Sequence, residues 1–205
     1  MAQLFVISAP SGTGKTSLIH KVLEEELASK TKLGISCTTR QRRENEEEGV
    51  AYFFLDEDAF NKRLDEGNFL EHATVFGNLY GTPKDWVVST ISQGFDVVLE
   101  LDVQGAIQVK NAYPDAKTIF IIPPSYKDLE ERLVNRDQDS QETIEKRLSE
   151  AKQEVLSGKD FDHLITNDNF NLAFADLKSV MYLNTHINEE RQALTKKCLS
   201  HLLDQ

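Results

Sequence analysis

Cysteine is scarce in this chain, with only Cys37 and Cys198 in 205 residues. The pair fits neither a zinc-ligand spacing nor a C-x-x-C redox motif, which argues against a disulfide scaffold or a small metal domain. Two reduced thiols of a cytoplasmic protein are expected instead. The histidines, His20, His72, His163, His186 and His201, show no metal-ligand spacing and complete no Ser–His–Asp set. Long apolar runs are missing too: nothing approaches the roughly 20 residues that span a bilayer. The run at residues 4–7 is too short for a signal peptide and has no basic flank. Positive charge is also short, with 23 Lys+Arg against 34 Asp+Glu and a net charge of -11. Nucleic acid and anionic membranes reward a basic face, so neither is an expected partner. A few arginines can still converge inside a pocket. There are no internal repeats and no low-complexity linkers, and the length suits one domain with small insertions.

What is present alternates between two periodicities. Leu4–Ser8 is a continuous apolar run that suits a strand buried on both faces. Helical spacing follows over 16–28, with Leu18, Ile19, Val22, Leu23 and Leu27 on one side. Further strands are expected at 95–101, 118–122 and His163–Thr166. Helices are expected at 83–93, 103–111 and 129–135, the first capped by Thr82 with Pro83 as its first residue. Ser125 and Asp128 resemble a capping box before the third. Such alternation implies an α/β fold with a mainly parallel sheet. Two stretches break the rhythm. Residues 34–82 read as short strands around a helix at 56–66, with 52–55 leading in and 69–76 leading out. Residues 136–157 form a charged segment, opening at Asp137, that is expected to bury little and to move. The stretch 171–203 has no Gly or Pro and reads as one long helical run.

Residues 8–17 read S-A-P-S-G-T-G-K-T-S, the ending of a G-x-x-x-x-G-K-[ST] phosphate loop with Ala9 in the first glycine position. Gly12 and Gly14 allow the backbone to wrap phosphate, with Ser11, Thr13 and Ser17 beside them. Lys15 can reach the β and γ oxygens, and the Thr16 hydroxyl can hold Mg²⁺. Strand, loop and helix stand in the order the motif requires. Ala9 lies at the loop's outer edge, where a methyl is tolerated if the backbone is ordinary. The loop identifies a nucleotide phosphate site and does not choose among kinases, motors and switches.

Arg40, Arg42 and Arg43 follow the next strand. Arginine matches phosphate bidentately, although a solvated basic turn against the acidic run 44–48 fits these residues equally well. The larger pattern resembles the guanylate kinases. It comprises Thr38-Thr39-Arg40, Arg43, Glu46, Gly49, Tyr52-Phe53-Phe54, Phe69-Leu70-Glu71, Gly77-Asn78-Leu79-Tyr80-Gly81-Thr82 and residues 99–105, L-E-L-D-V-Q-G. Pro123-Pro124-Ser125, Lys146-Arg147-Leu148 and Asn167-Asp168 continue it to cover nearly the whole chain. Arg42 and Asn45 stand where that family usually has proline and glycine.

The resemblance implies a P-loop NTPase-type parallel sheet core (1–33, 83–124 and 158–205) flanked by helices. It adds a small mixed α/β GMP-binding insertion (34–82) and a helical lid (125–157). It implies that Ser36, Arg40, Arg43, Tyr52 and Tyr80 hold the GMP phosphate, with Glu46 orienting the arginines. Glu71, Thr82 and Asp102 would read the base. Guanine presents N1–H and N2–H₂ side by side to a carboxylate, whereas adenine's bare N1 would face it with repulsion. An exposed strand position is the plain alternative for Glu71. Lys15, Arg40, Arg136 and Arg147 would serve the transfer, Asn167 and Asp168 would meet the ATP adenine, and Glu100 stands where a second acidic residue near Mg²⁺ is usual. Arg132 either joins the lid or pairs with Asp128. The expected reaction is ATP + GMP ⇌ ADP + GDP with Mg²⁺, in the cytoplasm, with dGMP acceptance and homo-oligomer formation left open. The rivals are a kinase-inactive interaction module of the same fold and a related kinase acting on a sugar phosphate.

Overall fold

The computed structural model describes residues 2–75, 77–135, 141–183 and 187–205. Its first strand, β1 (Leu4–Ser8), is buried at every position, as its unbroken apolar run requires. The chain continues through α1 (Lys15–Leu23), β2 (Thr31–Leu33), β3 (Cys37–Thr38), β4 (Phe53–Phe54) and α2 (Glu57–Asp65). Next come β5 (Phe69–Val75), β6 (Asn78–Pro83), α3 (Lys84–Ser92), β7 (Asp96–Glu100) and α4 (Val103–Ala112). The last elements are β8 (Lys117–Ile122), α5 (Tyr126–Val134), α6 (Gln141–Gly158), β9 (His163–Thr166), α7 (Phe170–Lys178) and α8 (Glu189–Leu203).

One sheet has the order β2-β7-β1-β8-β9, with the β2–β7 and β8–β9 pairs parallel. Helices flank it, which is the α/β architecture expected from the sequence. Its strands supply the apolar core through residues such as Val97, Val98, Ile119, Phe120, Ile121 and Ile122. A second, mixed sheet has the order β4-β3-β6-β5. There β3 runs parallel to β4, and β6 lies antiparallel to both β3 and β5. By packing, the chain parts into two compact units, Met1–Val6 with Lys30–Ala116 and Ile7–Ser29 with Lys117–Gln205.

Several boundaries differ from the sequence reading, each for a local reason. Helix α1 stops at Leu23, and Glu25 is extended at φ -73°, ψ 146° before a short 3-10 turn at Glu26–Ala28. Three consecutive glutamates at a helix C-terminus oppose its negative end. Leu27, expected on the apolar face, is 51% exposed. Strand β2 was not anticipated, being three residues with no alternation. Thr82 does not cap α3. It remains in β6, and Pro83 is the cap, so the helix begins at Lys84. The long C-terminal run is broken into α7, a wider π turn at Ser179–Leu183, and α8, which Asn188 caps by accepting from the Arg191 N–H. The polar segment is also less solvated than expected, since α6 buries Ile144, Ala151 and Val155. The Ser125–Asp128 cap is present, with the Asp128 N–H donating to Ser125 Oγ at 3.1 Å. Asp137, expected to open that segment's helix, lies outside the described residues.

The last residue of α6 sets a packing limit. A Cβ on Gly158 would stand 2.7 Å from two carbons of the Phe120 ring, which is itself fully buried and tilted against Phe161. A rigid ring with no room behind it cannot yield cheaply. Gly158→Ala is expected to lower unfolding stability by about 1–3 kcal/mol through overpacking. Urea unfolding measures this, and an unchanged midpoint would contradict the packing described.

Candidate functional site

In the unit that contains the glycine loop, β1 leads into Ala9, whose methyl is buried. The substitution at the first loop position is therefore accommodated by packing. Gly12 and Gly14 adopt φ 90° and 96°, the region that glycine alone enters readily. Space also requires them, because a Cβ at Gly12 would lie 2.9 Å from Leu133 Cδ2 and one at Gly14 2.8 Å from Asn167 Nδ2. Gly14 caps α1, which places Lys15 and Thr16 in the first helical turn. No acidic residue occupies that turn. The positive end of the helix therefore meets no competing carboxylate in that turn and favours an anion.

One carbonyl ties the loop to more distant residues. Thr13 O accepts from Asn167 Nδ2 at 2.7 Å and from Arg132 Nη1 at 3.4 Å, while Arg132 Nη2 donates to Asn167 O at 2.7 Å. Arg132 therefore braces the loop against the end of β9 and does not pair with Asp128. Beside it lies a cavity of about 390 Å³ lined by Gly12, Ser17, Arg132, Asn167, Asp168 and Phe170, among others. Ser11, Thr16 and Ser17 are exposed, and Arg147 is half-buried on α6. Arg136 lies outside the described residues.

The other unit gathers the basic turn. Its base is tied to β6, with the Thr39 N–H donating to Leu79 O at 3.0 Å and the Leu79 N–H returning to Thr39 Oγ1 at 2.9 Å. Arg40 Nη2 donates to Glu46 Oε1 at 2.7 Å, and Glu46 Oε2 accepts the Arg43 N–H at 2.9 Å. The Arg40 guanidinium lies 5.4 Å from the Tyr52 ring centroid, and the Tyr52 and Tyr80 rings meet edge-on at 5.9 Å. The bond to Glu46 chiefly raises the Arg40 pKa, with a further contribution from Tyr80, and the same bond holds the Glu46 carboxyl below its ordinary range. Arg40, Arg43, Glu46, Tyr52 and Tyr80 are thus brought together. Ser36, half-buried one residue before β3, accepts the Phe53 N–H through its carbonyl at 2.9 Å. The turn carrying Arg42 and Asn45 still closes, with the Glu46 N–H on Arg43 O at 3.1 Å.

Across the β5–β6 ladder a register shift between Phe69 and Glu71 sets Glu71 directly opposite Thr82. Cross-strand neighbours at that spacing interact. The Thr82 hydroxyl donates to Glu71 Oε1 at 2.6 Å, and Glu71 is only 6% exposed. Glu71 is therefore a buried carboxylate, not the exposed strand residue the sequence equally allowed. The Thr82 hydroxyl, expected to help read the base, spends its donor on Glu71. Asp102 caps α4, its Oδ1 accepting the Gly105 N–H at 2.7 Å. Gly105 leaves room for both acids, since a Cβ there would lie 3.3 Å from Asp102 Oδ1 and 3.4 Å from Glu71 Oε2. Burial chiefly raises the Glu71 pKa, Asp102's charge adds to this, and the Thr82 hydrogen bonds oppose it. Cys37, in β3, is an inert thiol, pushed up to about 11 by burial.

Sequence reasoning missed Arg191 and Phe170. Arg191 donates to Asp168 Oδ1 at 2.7 Å, and Phe170 opens α7 at the cavity wall. The one available signal was Asn188 followed by Glu189 and Glu190, a helix start inside the apparently continuous C-terminal run.

A glycine loop on a helix N-terminus, and an arginine–tyrosine cluster beside a buried carboxylate, define a class: a P-loop phosphotransferase with its own acceptor site. The guanylate kinase family model matches residues 1–184. A guanylate kinase from Hahella chejuensis is 51% identical over 178 residues, 87% of this chain and 85% of that protein. One from Coxiella burnetii is 45% identical over 204 residues, covering 100% and 98%. The crystal structure of guanylate kinase from Anaplasma phagocytophilum superposes with a TM-score of 0.67 at 28% identity, covering 93% of this chain and 89% of that one. The chain belongs to the guanylate kinase family, and its activity is phosphoryl transfer from ATP to GMP.

The raised pKa of Glu71 makes a stability prediction for the nucleotide-free protein. The folded state holds this proton more tightly than the unfolded chain, whose glutamate titrates near 4.5. Stability from the group is therefore largest in acid and falls as pH rises from 4.5 through the higher folded value. Relative to Glu71→Gln, the unmodified protein should lose stability as pH rises above about 4.5. Urea unfolding across that range checks it; a constant difference between the two proteins would contradict the assignment.

Proposed function

We propose that ATP + GMP ⇌ ADP + GDP is carried out with ATP on the glycine-loop unit and GMP in the insertion 34–82 together with Asp102. The observation that carries this assignment is the buried Glu71 carboxylate, fixed on one oxygen by Thr82 with Asp102 nearby. A carboxylate in that setting accepts guanine's N1–H and N2–H₂ and repels the N1 lone pair of adenine. Ser36, Arg40, Arg43, Tyr52 and Tyr80 take the acceptor phosphate, and Glu46 orients Arg40 through the 2.7 Å ion pair.

On the donor side, the amides of residues 11–17 and Lys15 bind the ATP phosphates, and Asn167 and Asp168 meet the adenine. The segment 125–157 acts as a lid that brings Arg136 and Arg147 to the transferring group and excludes water. Residues 1–33, 83–124 and 158–205 form the core that carries these parts. Mg²⁺ fits this site. It prefers oxygen ligands, keeps much of its water and takes substrate phosphates in place of an all-protein cage. Among the described residues no group of three or more His, Cys, Asp or Glu is placed to hold a metal ion. The exposed Thr16 hydroxyl, one residue after Lys15, would hold the ion together with the phosphates, where it would neutralise charge on the transferring group. The setting is the cytoplasm; among the described residues no helix is long and apolar enough to cross a membrane.

An ADP-release assay with GMP, AMP, UMP and CMP tests the reading. Turnover with GMP should exceed that with AMP by at least about a hundredfold, because the wrong base leaves buried polar groups unpaired. Comparable rates with AMP would remove Glu71 from the role. Lys15→Ala should lower kcat by about a hundredfold or more while GMP binding, followed by titration calorimetry, survives. A near-normal rate would refute the loop assignment.

A further inference from the structure

Arg191 has no place in the mechanism above, yet it is among the most thoroughly bonded side chains described. It lies in the first turn of α8, beyond the segment that matches the family model, and is only 7% exposed. Its guanidinium makes three hydrogen bonds in three directions. Nε donates to Asp176 Oδ2 at 2.8 Å, Nη1 to Asp168 Oδ1 at 2.7 Å, and Nη2 to Thr166 O at 2.8 Å. Thr166 ends β9, Asp168 lines the donor cavity, and Asp176 belongs to α7. The fork thus ties together the strand end, the cavity wall and the next helix. Arg191's position on α8 is itself fixed, because its backbone N–H donates to Asn188 Oδ1 at 2.8 Å.

We infer that Arg191 is a positioning residue for the donor site, holding the Asp168 carboxylate in the orientation that selects an adenine nucleotide. This rests on the reading that Asp168 meets the donor base. One carboxylate oxygen is taken by Arg191, while the Asp168 side chain stays 29% exposed at the cavity. An ionised carboxylate only accepts hydrogen bonds, so it favours the 6-amino group of adenine and disfavours the 6-oxo group of guanine. Discrimination requires that the carboxylate not rotate away. A planar, permanently charged fork bonded on three sides holds it in place, and a lysine with one compact charge cannot reproduce the geometry. Because Nη2 also holds Thr166 O, the same residue fixes the strand end one position before Asn167, which grips Thr13 of the glycine loop.

The test compares ATP and GTP as donors, with GMP as acceptor, in the unmodified enzyme, Arg191→Lys and Asp168→Asn. Arg191→Lys should raise KM for ATP about tenfold and lower the ATP-over-GTP preference by a similar factor, the size of one charge-assisted hydrogen bond. KM for GMP should stay within about twofold, since uniform binding at the other site is untouched. A purely structural role would depress all parameters together and leave donor preference intact. Truncation risks leaving Asp176 as an unpaired buried charge. The double variant Arg191→Met with Asp176→Asn removes both charges, and it should show the same loss of donor preference with a cooperative melt retained. If Asp168→Asn relaxes donor preference but both folded Arg191 variants keep it, the positioning role is overturned while the adenine contact stands. If Asp168→Asn keeps the preference, the adenine contact itself falls, and the inference with it.

Discussion

A carboxylate taken out of water must be held by hydrogen bonds or it will protonate, and Glu71 is held on one side by the Thr82 hydroxyl. Much of the acceptor unit follows from that constraint. The register shift in β5 aligns the two residues, and β6 keeps Thr82 in the ladder at the expense of its expected capping role. Gly105 keeps a side chain away from both Glu71 and Asp102. Burial and the charge of Asp102 raise Glu71's proton affinity, so in the proposed reading guanine's adjacent donors would relieve a charge that is costly to bury. On that reading, binding and discrimination come from one source. A base without those donors leaves the carboxylate as badly off as it was before.

The donor side is organised around a neutral group. Thr13's carbonyl is the point at which Asn167 and Arg132 seize the glycine loop. That carbonyl is thereby satisfied, which suits a phosphate cradle, since an unpaired carbonyl would repel the anion that the proposed function places there. The Asn167 side chain also fills the space that a Cβ at Gly14 would enter, so glycine and asparagine are matched to one another. Arg191 extends the same logic one layer outward, bonding the residue on either side of Asn167.

Much of this was legible in the sequence, and what escaped did so for physical reasons. Continuous apolar strands such as β1 and β8 and the glycine loop announce themselves because burial on both faces and φ above zero demand particular residue types. The cluster of Arg40, Arg43, Glu46, Tyr52 and Tyr80 could be assembled from family resemblance, and the structure brings those residues together. Arginines near glutamates alone would not have separated a binding site from a solvated turn. Thr82 was misread because a hydroxyl before a proline fits a helix cap as well as a strand end; only its partner across the ladder decides. Arg191 was invisible because an arginine in a charged helix carries no sign of burial until Asp168, Asp176 and Thr166 are brought around it. The break before α8 was marked by an asparagine cap, a weaker signal than the Gly or Pro whose absence suggested continuity.

The central claim is that one buried carboxylate reads two adjacent donors of the acceptor base. Inosine monophosphate keeps guanine's N1–H and lacks the 2-amino group, so comparing its binding with that of GMP isolates the second contact. Titration calorimetry should show GMP binding roughly 10–100 times more tightly than inosine monophosphate, the worth of one hydrogen bond to a charged group. In Glu71→Gln that advantage should largely vanish. Equal affinities for the two nucleotides in the unmodified protein would contradict the account.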